Sequence, residues 1–238
     1  MRTRLRRVGG SLMFLAATFI AAPFATSQGE PLAERVRQSR SLIPVIGHWT
    51  RGADSAMTVD GSKWSGTTTS AELDRASRQL FGAVNADFAR NGAAPGAFPL
   101  AVSPDIANFT SGTLRVQFNM IGGASDQNAG IVFNLGPTGE YLYARYNTKD
   151  GDLALWKFVN GERVLIVHGT GSSKLALNQW HELVVQVRDR KVSASIAGNS
   201  ALALEHTLDA APSGKVGVWV KRDAVTAFKG LVVQRVQR

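Results

Sequence analysis

From Thr113 onward the chain alternates: Leu114, Val116, Phe118 and Met120 are apolar, and Arg115, Gln117 and Asn119 between them are polar. A period of two predicts a strand with one buried and one wet face. The same reading predicts strands over 129–135, 140–147, 153–159, 162–168, 180–189, 191–197, 214–221 and 225–236, with an earlier one over 45–49. Their connectors hold Gly122-Gly123, Pro137-Thr138-Gly139, Asp150-Gly151, Asn160-Gly161 and Gly198-Asn199. Asp-Gly and Asn-Gly between alternating segments are hairpin signals, because these residues adopt positive φ readily. Many short strands without interleaved helices predict an all-β, two-sheet antiparallel β-sandwich.

One segment breaks the period. Thr69-Ser70-Ala71-Glu72 matches a capping box, in which Thr69 and Glu72 satisfy each other's backbone donors. Leu73, Ala76 and Leu80 follow at helical spacing and predict a short helical insertion over about 70–80. Residues 84–112, rich in Gly, Ala, Pro and Asn, read as loop with at most short strands.

The N-terminus has another logic. Arg2, Arg4, Arg6 and Arg7 precede an apolar stretch from Leu12 to Phe24, and Ala25-Thr26-Ser27 supplies small residues. This order predicts a secretory signal peptide over 1–27, a polar leader segment over 28–43 with room for a short helix, and one sandwich domain over 44–238. The apolar stretch falls short of the roughly 20 residues of a membrane span, so a retained anchor is the weaker alternative. The expected location is secreted or periplasmic, with no membrane contact after cleavage. The chain has 27 basic and 18 acidic residues, a net +9. Removing the leader's four arginines leaves 23 basic residues against 18 acids, a net +5. The remaining cations are scattered, which speaks against nucleic acid as a partner. Absence of cysteine excludes disulfide scaffolds and thiolate metal sites. Asn108-Phe109-Thr110 is a sequon that matters only in a eukaryotic secretory pathway.

If Asp150-Gly151 is a two-residue turn, Lys149 faces Asp152, Arg145 faces Trp156 and Tyr143 faces Phe158. Tyr141, Tyr143, Arg145, Asn147, Trp156 and Phe158 then share one side of a sheet, and Leu142, Ala144, Tyr146, Leu155, Lys157 and Val159 share the other.

Five segments in order carry a family likeness: Gly122-Gly123-Ala124-Ser125-Asp126-Gln127-Asn128-Ala129-Gly130, Tyr141 to Asn147, Leu155 to Arg163, Trp180-His181-Glu182-Leu183, and Gly214 to Asp223. Together they resemble the bacterial concanavalin A-like, LamG-type jelly-roll domains related to the 3-keto-disaccharide hydrolase (family-16-like) domain. The resemblance covers about 110–236 and implies a concanavalin A-like jelly roll. It also implies either glycan binding or glycoside hydrolysis, including of 3-keto-glycosides. The family commonly continues past the position of Asp223 with two acids after a Phe, but here Lys229 and Gly230 follow Phe228.

The residues themselves favour binding. Glu72-Leu73-Asp74 begins the E-x-D-x-x-E pattern of retaining hydrolases on this fold, but Ser77 stands where its second Glu belongs. A pair of carboxylates is what glycoside hydrolysis requires, so no catalytic residue is assigned. His48, His168, His181 and His206 lack ligand spacing, and no metal ligand or cofactor is assigned; calcium held by loop acids and carbonyls stays open. No G-x-S-x-G elbow or phosphate-binding glycine pattern occurs. Sugar rings stack on aromatic faces while polar groups bond their hydroxyls. Tyr141, Tyr143, Arg145, Asn147 and Trp156, with Gln127 and Asp126, form the candidate ligand site. Arg115, Gln117, Asn119 and Asn134 can extend it, and Trp49, Trp180 and Trp219 read as core or edge. The alternative is that Tyr143, Trp156 and Phe158 are core. A non-catalytic carbohydrate-binding or interaction domain is the first expectation, a glycoside hydrolase the second and a structural envelope protein the third.

Overall fold

The computed structural model describes residues 35–52, 54–64 and 68–235. The expected signal peptide lies outside them. Strands β1 (Arg35–Gln38), β2 (Ile43–Ile46), β3 (Trp49–Arg51) and β4 (Met57–Asp60) come first, and then helices α1 (Ser70–Phe81) and α2 (Ala86–Gly92). They are followed by β5 (Leu100–Val102), β6 (Gly112–Gly122), β7 (Asn128–Leu135), β8 (Tyr141–Asn147), β9 (Asp152–Val159) and β10 (Glu162–His168). β11 (Trp180–Arg188), β12 (Lys191–Ile196), β13 (Asn199–Thr207), β14 (Lys215–Trp219) and β15 (Val225–Arg235) complete the order.

Two antiparallel sheets form the sandwich. The first runs β13-β12-β11-β6-β15-β4-β3, with β1 also paired to β15, and the second runs β10-β9-β8-β7-β14-β5-β2. Between them lies the main core. It takes Leu114, Val116, Phe118 and Met120 from β6, Leu183, Val185 and Val187 from β11, and Ile131, Phe133, Tyr146 and Leu155 from the facing sheet. These are the inward positions that the alternation predicts.

The second sheet is apolar on its outer side too. Val132, Tyr141, Tyr143, Phe158 and Trp219 form a second core with Leu73, Ala76, Leu80 and Phe88 of the helices. The predicted helix is present over Ser70–Phe81, with both bonds of its capping box, and it ends at Gly82 in the left-handed conformation. α2 lies in the stretch expected to be loop. It has seven residues and buries only Phe88 and Asn91, too few positions to show a period.

The β8–β9 hairpin differs from expectation in a way that preserves its faces. Asn147 faces Asp152, Tyr143 faces Trp156 and Tyr141 faces Phe158. The turn therefore holds four residues, Thr148 to Gly151. A slip of two residues leaves every side chain on its predicted side, where a slip of one would exchange them. Asn147 holds the wider turn: its Oδ1 accepts from the Lys149 amide and its Nδ2 donates to Asp150.

β13 was not predicted. Only its Leu202 and Leu204 are fully buried, and its alanines are poor strand residues. Arg35–Gln38, inside the expected polar leader, form a strand against β15 rather than a helix.

Removing the Thr69 hydroxyl with Thr69→Ala is expected to cost about 1 kcal/mol. Leu73→Ala, at a fully buried position on the inner face of α1, is expected to cost about 3 kcal/mol. Urea unfolding of the two variants against the parent measures both.

Candidate functional site

Of the predicted ligand residues, Tyr141, Tyr143, Arg145, Asn147 and Trp156 share the outer side of the second sheet, and Asp126 and Gln127 lie in the loop that enters β7; most of them are covered. Tyr141, Tyr143, Arg145, Asn147 and Asp126 are buried, while Gln127 and Trp156 are half-buried. The two tyrosines lie in the core under the helices, so as ligand contacts they are corrected to packing residues. Their rings stack on neighbours: Tyr141 on Phe158 at 4.9 Å and Tyr143 near Trp219 at 4.4 Å between centroids. Burial pushes the Tyr143 phenol up to about 12, against the opposing charges of Arg163 and Arg145; burial raises Tyr141 as well.

Arg145 and Asn147 work within the protein. Arg145 Nη2 donates to Asp152 at 2.7 Å, its Nη1 lies 3.5 Å from Asp150, and its guanidinium carbon stands 5.8 Å from the Trp156 ring centre. Asp152 also faces His168 Nδ1 at 2.9 Å. Asp126 is held by Lys221 at 3.2 Å and Arg222 at 3.7 Å. Gln127 Nε2 donates to the Gly123 carbonyl. A buried charge needs such partners, and these residues have found them inside the chain.

Arg115, Gln117 and Asn119 do not extend this face. They pair with β11 and β15 and point outward from the first sheet, across the sandwich. Trp180, expected in the core or at an edge, is on that same far side and 39% exposed, with Lys229 Nζ 3.9 Å from its ring centre. Asn134 serves a turn, its Oδ1 accepting from the Ser213 amide.

Where the helical cover ends, a groove of about 760 Å³ opens over the outer side of the second sheet. Trp64, Pro95, Phe98, Arg163, Arg222 and Asp223 are among its lining residues. Trp64 and Phe98 meet edge to face at 5.1 Å. Arg163, from the edge strand β10, places its guanidinium carbon 4.8 Å from the Phe98 ring and 5.6 Å from the Trp156 ring. Two glycines let the backbone close around this groove. A Cβ on Gly61 would stand 2.1 Å from the Arg222 carbonyl, and one on Gly123 would stand 1.9 Å from the Asp126 carbonyl.

Asp223 is the acid of the groove. Its carboxylate accepts from the backbone amides of Ala124, Ser125 and Asp126 at 2.6, 2.8 and 3.0 Å. Burial alone would raise its pKa, but these bonds outweigh burial and hold it below the ordinary value. Burial lowers the Lys221 ammonium; Asp126 opposes that shift, and Arg222 and Arg163 add to it. Sequence reasoning missed Trp64, Phe98 and Arg222 as site residues. Arg163 and Asp223 carried a signal, since each closes one of the five motif segments. Among the described residues, no three His, Asp or Glu side chains gather as a metal site, and no helix is long and apolar enough to cross a membrane.

No family model and no curated protein matches the chain. The fold does have solved counterparts. Carbohydrate binding module CBM66 from Bacillus subtilis is similar with a TM-score of 0.56 at 12% identity, over 81% of this chain and 94% of the module. A beta-glucanase from Bacillus licheniformis has a TM-score of 0.45 at 9% identity, over 85% of this chain and 92% of the glucanase. The chain has the concanavalin A-like jelly-roll fold.

Asp223→Ala is expected to cost about 2 kcal/mol near neutral pH, through loss of charge-assisted bonds. Because the folded pKa is depressed, this contribution is full above the ordinary aspartate value of 3.8 and is lost as pH falls through the folded value. The stability gap between parent and variant, measured by urea unfolding from pH 7 to pH 3, is expected to narrow on acidification.

Proposed function

We propose that the chain is an exported, non-catalytic carbohydrate-binding domain that holds its ligand in the groove between Trp64, Arg163 and Arg222. One observation carries this reading. The groove joins a half-exposed indole to arginine donors, while its acid is already committed to three backbone amides. Indole faces suit the apolar faces of sugar rings, and guanidinium N–H groups suit their hydroxyls.

Hydrolysis would need two carboxylates flanking a glycosidic bond. Among the described residues, Asp223 is the only acid lining this groove. A groove of about 990 Å³ on the far side of the sandwich contains Asp54 and Asp105. Each of these accepts a backbone amide, from Ala56 and Arg40 respectively. The likeness to a carbohydrate binding module supports the same reading at the level of fold.

A glycan array, followed by calorimetry on the best ligand, tests it. Trp64→Ala and Arg222→Ala are each expected to weaken binding about tenfold, equivalent to about 1.4 kcal/mol. Trp180→Ala, on the opposite sheet, is expected to leave it unchanged. Chromogenic glycosides are expected to stay intact. Full affinity in both groove variants would move the site elsewhere, and turnover would overturn the non-catalytic reading.

A further inference from the structure

The cations around the groove are not equally compensated. Arg145 is held by Asp152 and Asp150, and Lys221 and Arg222 share Asp126. Arg163 makes no ion pair among the described residues, although it is half-buried and lines the groove. Nor is it a loose surface side chain, because its guanidinium lies against the rings of Phe98 and Trp156. Phe98 is buried and braced in turn by Trp64 and Trp219. The rings of Phe98 and Trp156 and the phenol of Tyr143 surround the guanidinium, whose five N–H donors exceed what these neighbours can take. They also fix its direction before any ligand arrives.

The acid of the groove forms no ion pair with Arg163, and three of its roughly four acceptor sites are already taken. Asp223 is bonded to three amides that close the 123–126 loop. Lys221 is influenced by both Arg222 and Arg163, which marks the region as cationic. A neutral glycan would offer this guanidinium only uncharged oxygens. A planar carboxylate matches it with two parallel, charge-assisted bonds.

We propose that the ligand of this groove is an acidic saccharide, and that Arg163 binds the carboxylate of a uronic acid residue while Arg222, which also lines the groove, supports the same charge. This rests on the carbohydrate-binding reading above and specifies its ligand class. Trp64 would take the face of the sugar ring, and Arg163 would set the ring's orientation through its carboxylate.

The probes are oligogalacturonates of defined length and the same oligomers fully methyl-esterified, which keep the backbone and lose the charge. Calorimetry on the full mature chain is expected to show the free acid binding at least about tenfold more tightly than the ester, with affinity falling as salt rises. Arg163→Gln is expected to remove that preference, and Arg163→Lys to restore only part of it, because the charge returns without the planar fork. Arg222→Gln, at an exposed position, provides a second variant and is expected to reduce the preference in the same direction. Equal binding of acid and ester, or a preference that survives Arg163→Gln, overturns the inference and leaves carbohydrate binding standing. Binding confined to neutral glycans on the array does the same. No binding to any glycan, acidic or neutral, overturns the carbohydrate reading and this inference with it.

Discussion

The second sheet has two apolar faces, and that constraint organises the molecule. A two-layer sandwich buries one side of each sheet and leaves the other to water. Here the outer side of the second sheet carries Tyr141, Tyr143, Phe158 and Trp219, all buried. Left bare, this surface would be a large exposed apolar patch, which soluble domains rarely tolerate. The chain covers it with α1, α2 and the loop that presents Phe98. The helical insertion is therefore a third layer that the strand composition demands. The groove lies where this layer stops. Its aromatic residues belong to the packing of the cover, and its arginines come from the start of β10 and from the turn between β14 and β15.

The site's charge arrangement follows from the same boundary. The buried polar side chains of this sheet and its loops, Arg145, Asn147 and Asp126, have partners inside the chain. Those at the margin of the cover, Arg163 and Arg222, remain open to solvent on one side. Asp223 belongs to neither group, since it is spent on holding a loop in shape. The departure from the family pattern after Asp223 has a matching structural setting. Lys229 sits on the far side of the first sheet, beside Trp180, and brings no acid towards the groove.

Much of this was legible from spacing. The period-two segments found the central strands because β6, β7, β8 and β9 bury alternate or continuous apolar positions. The helix was legible because Thr69 and Glu72 announce it. Even the wrong hairpin turn gave the right faces, since the error was even. β8 was harder to read. All seven of its residues are buried, so a candidate binding face and a second core carry the same sequence signature. Only the presence of the helices above it decides between them. Trp180 shows the converse: an aromatic on an otherwise inward-looking strand is exposed because its parity matches Glu182 and Gln186, not Leu183 and Val185. Trp64 and Phe98 come from irregular segments that have no period to read.

The position of β15 has a kinetic meaning. It lies inside the first sheet, with β6 on one side and both β4 and β1 on the other. β1 thus finds its hydrogen-bonding partner only in residues 232–235, and the β3–β4 pair joins the rest of its sheet only through residues 225–228. No early portion can close this sheet on its own, and pairing across such sequence separation is slow. A chain emerging N-terminus first can complete the second sheet at β14, but the first sheet stays open at its centre until β15 is present.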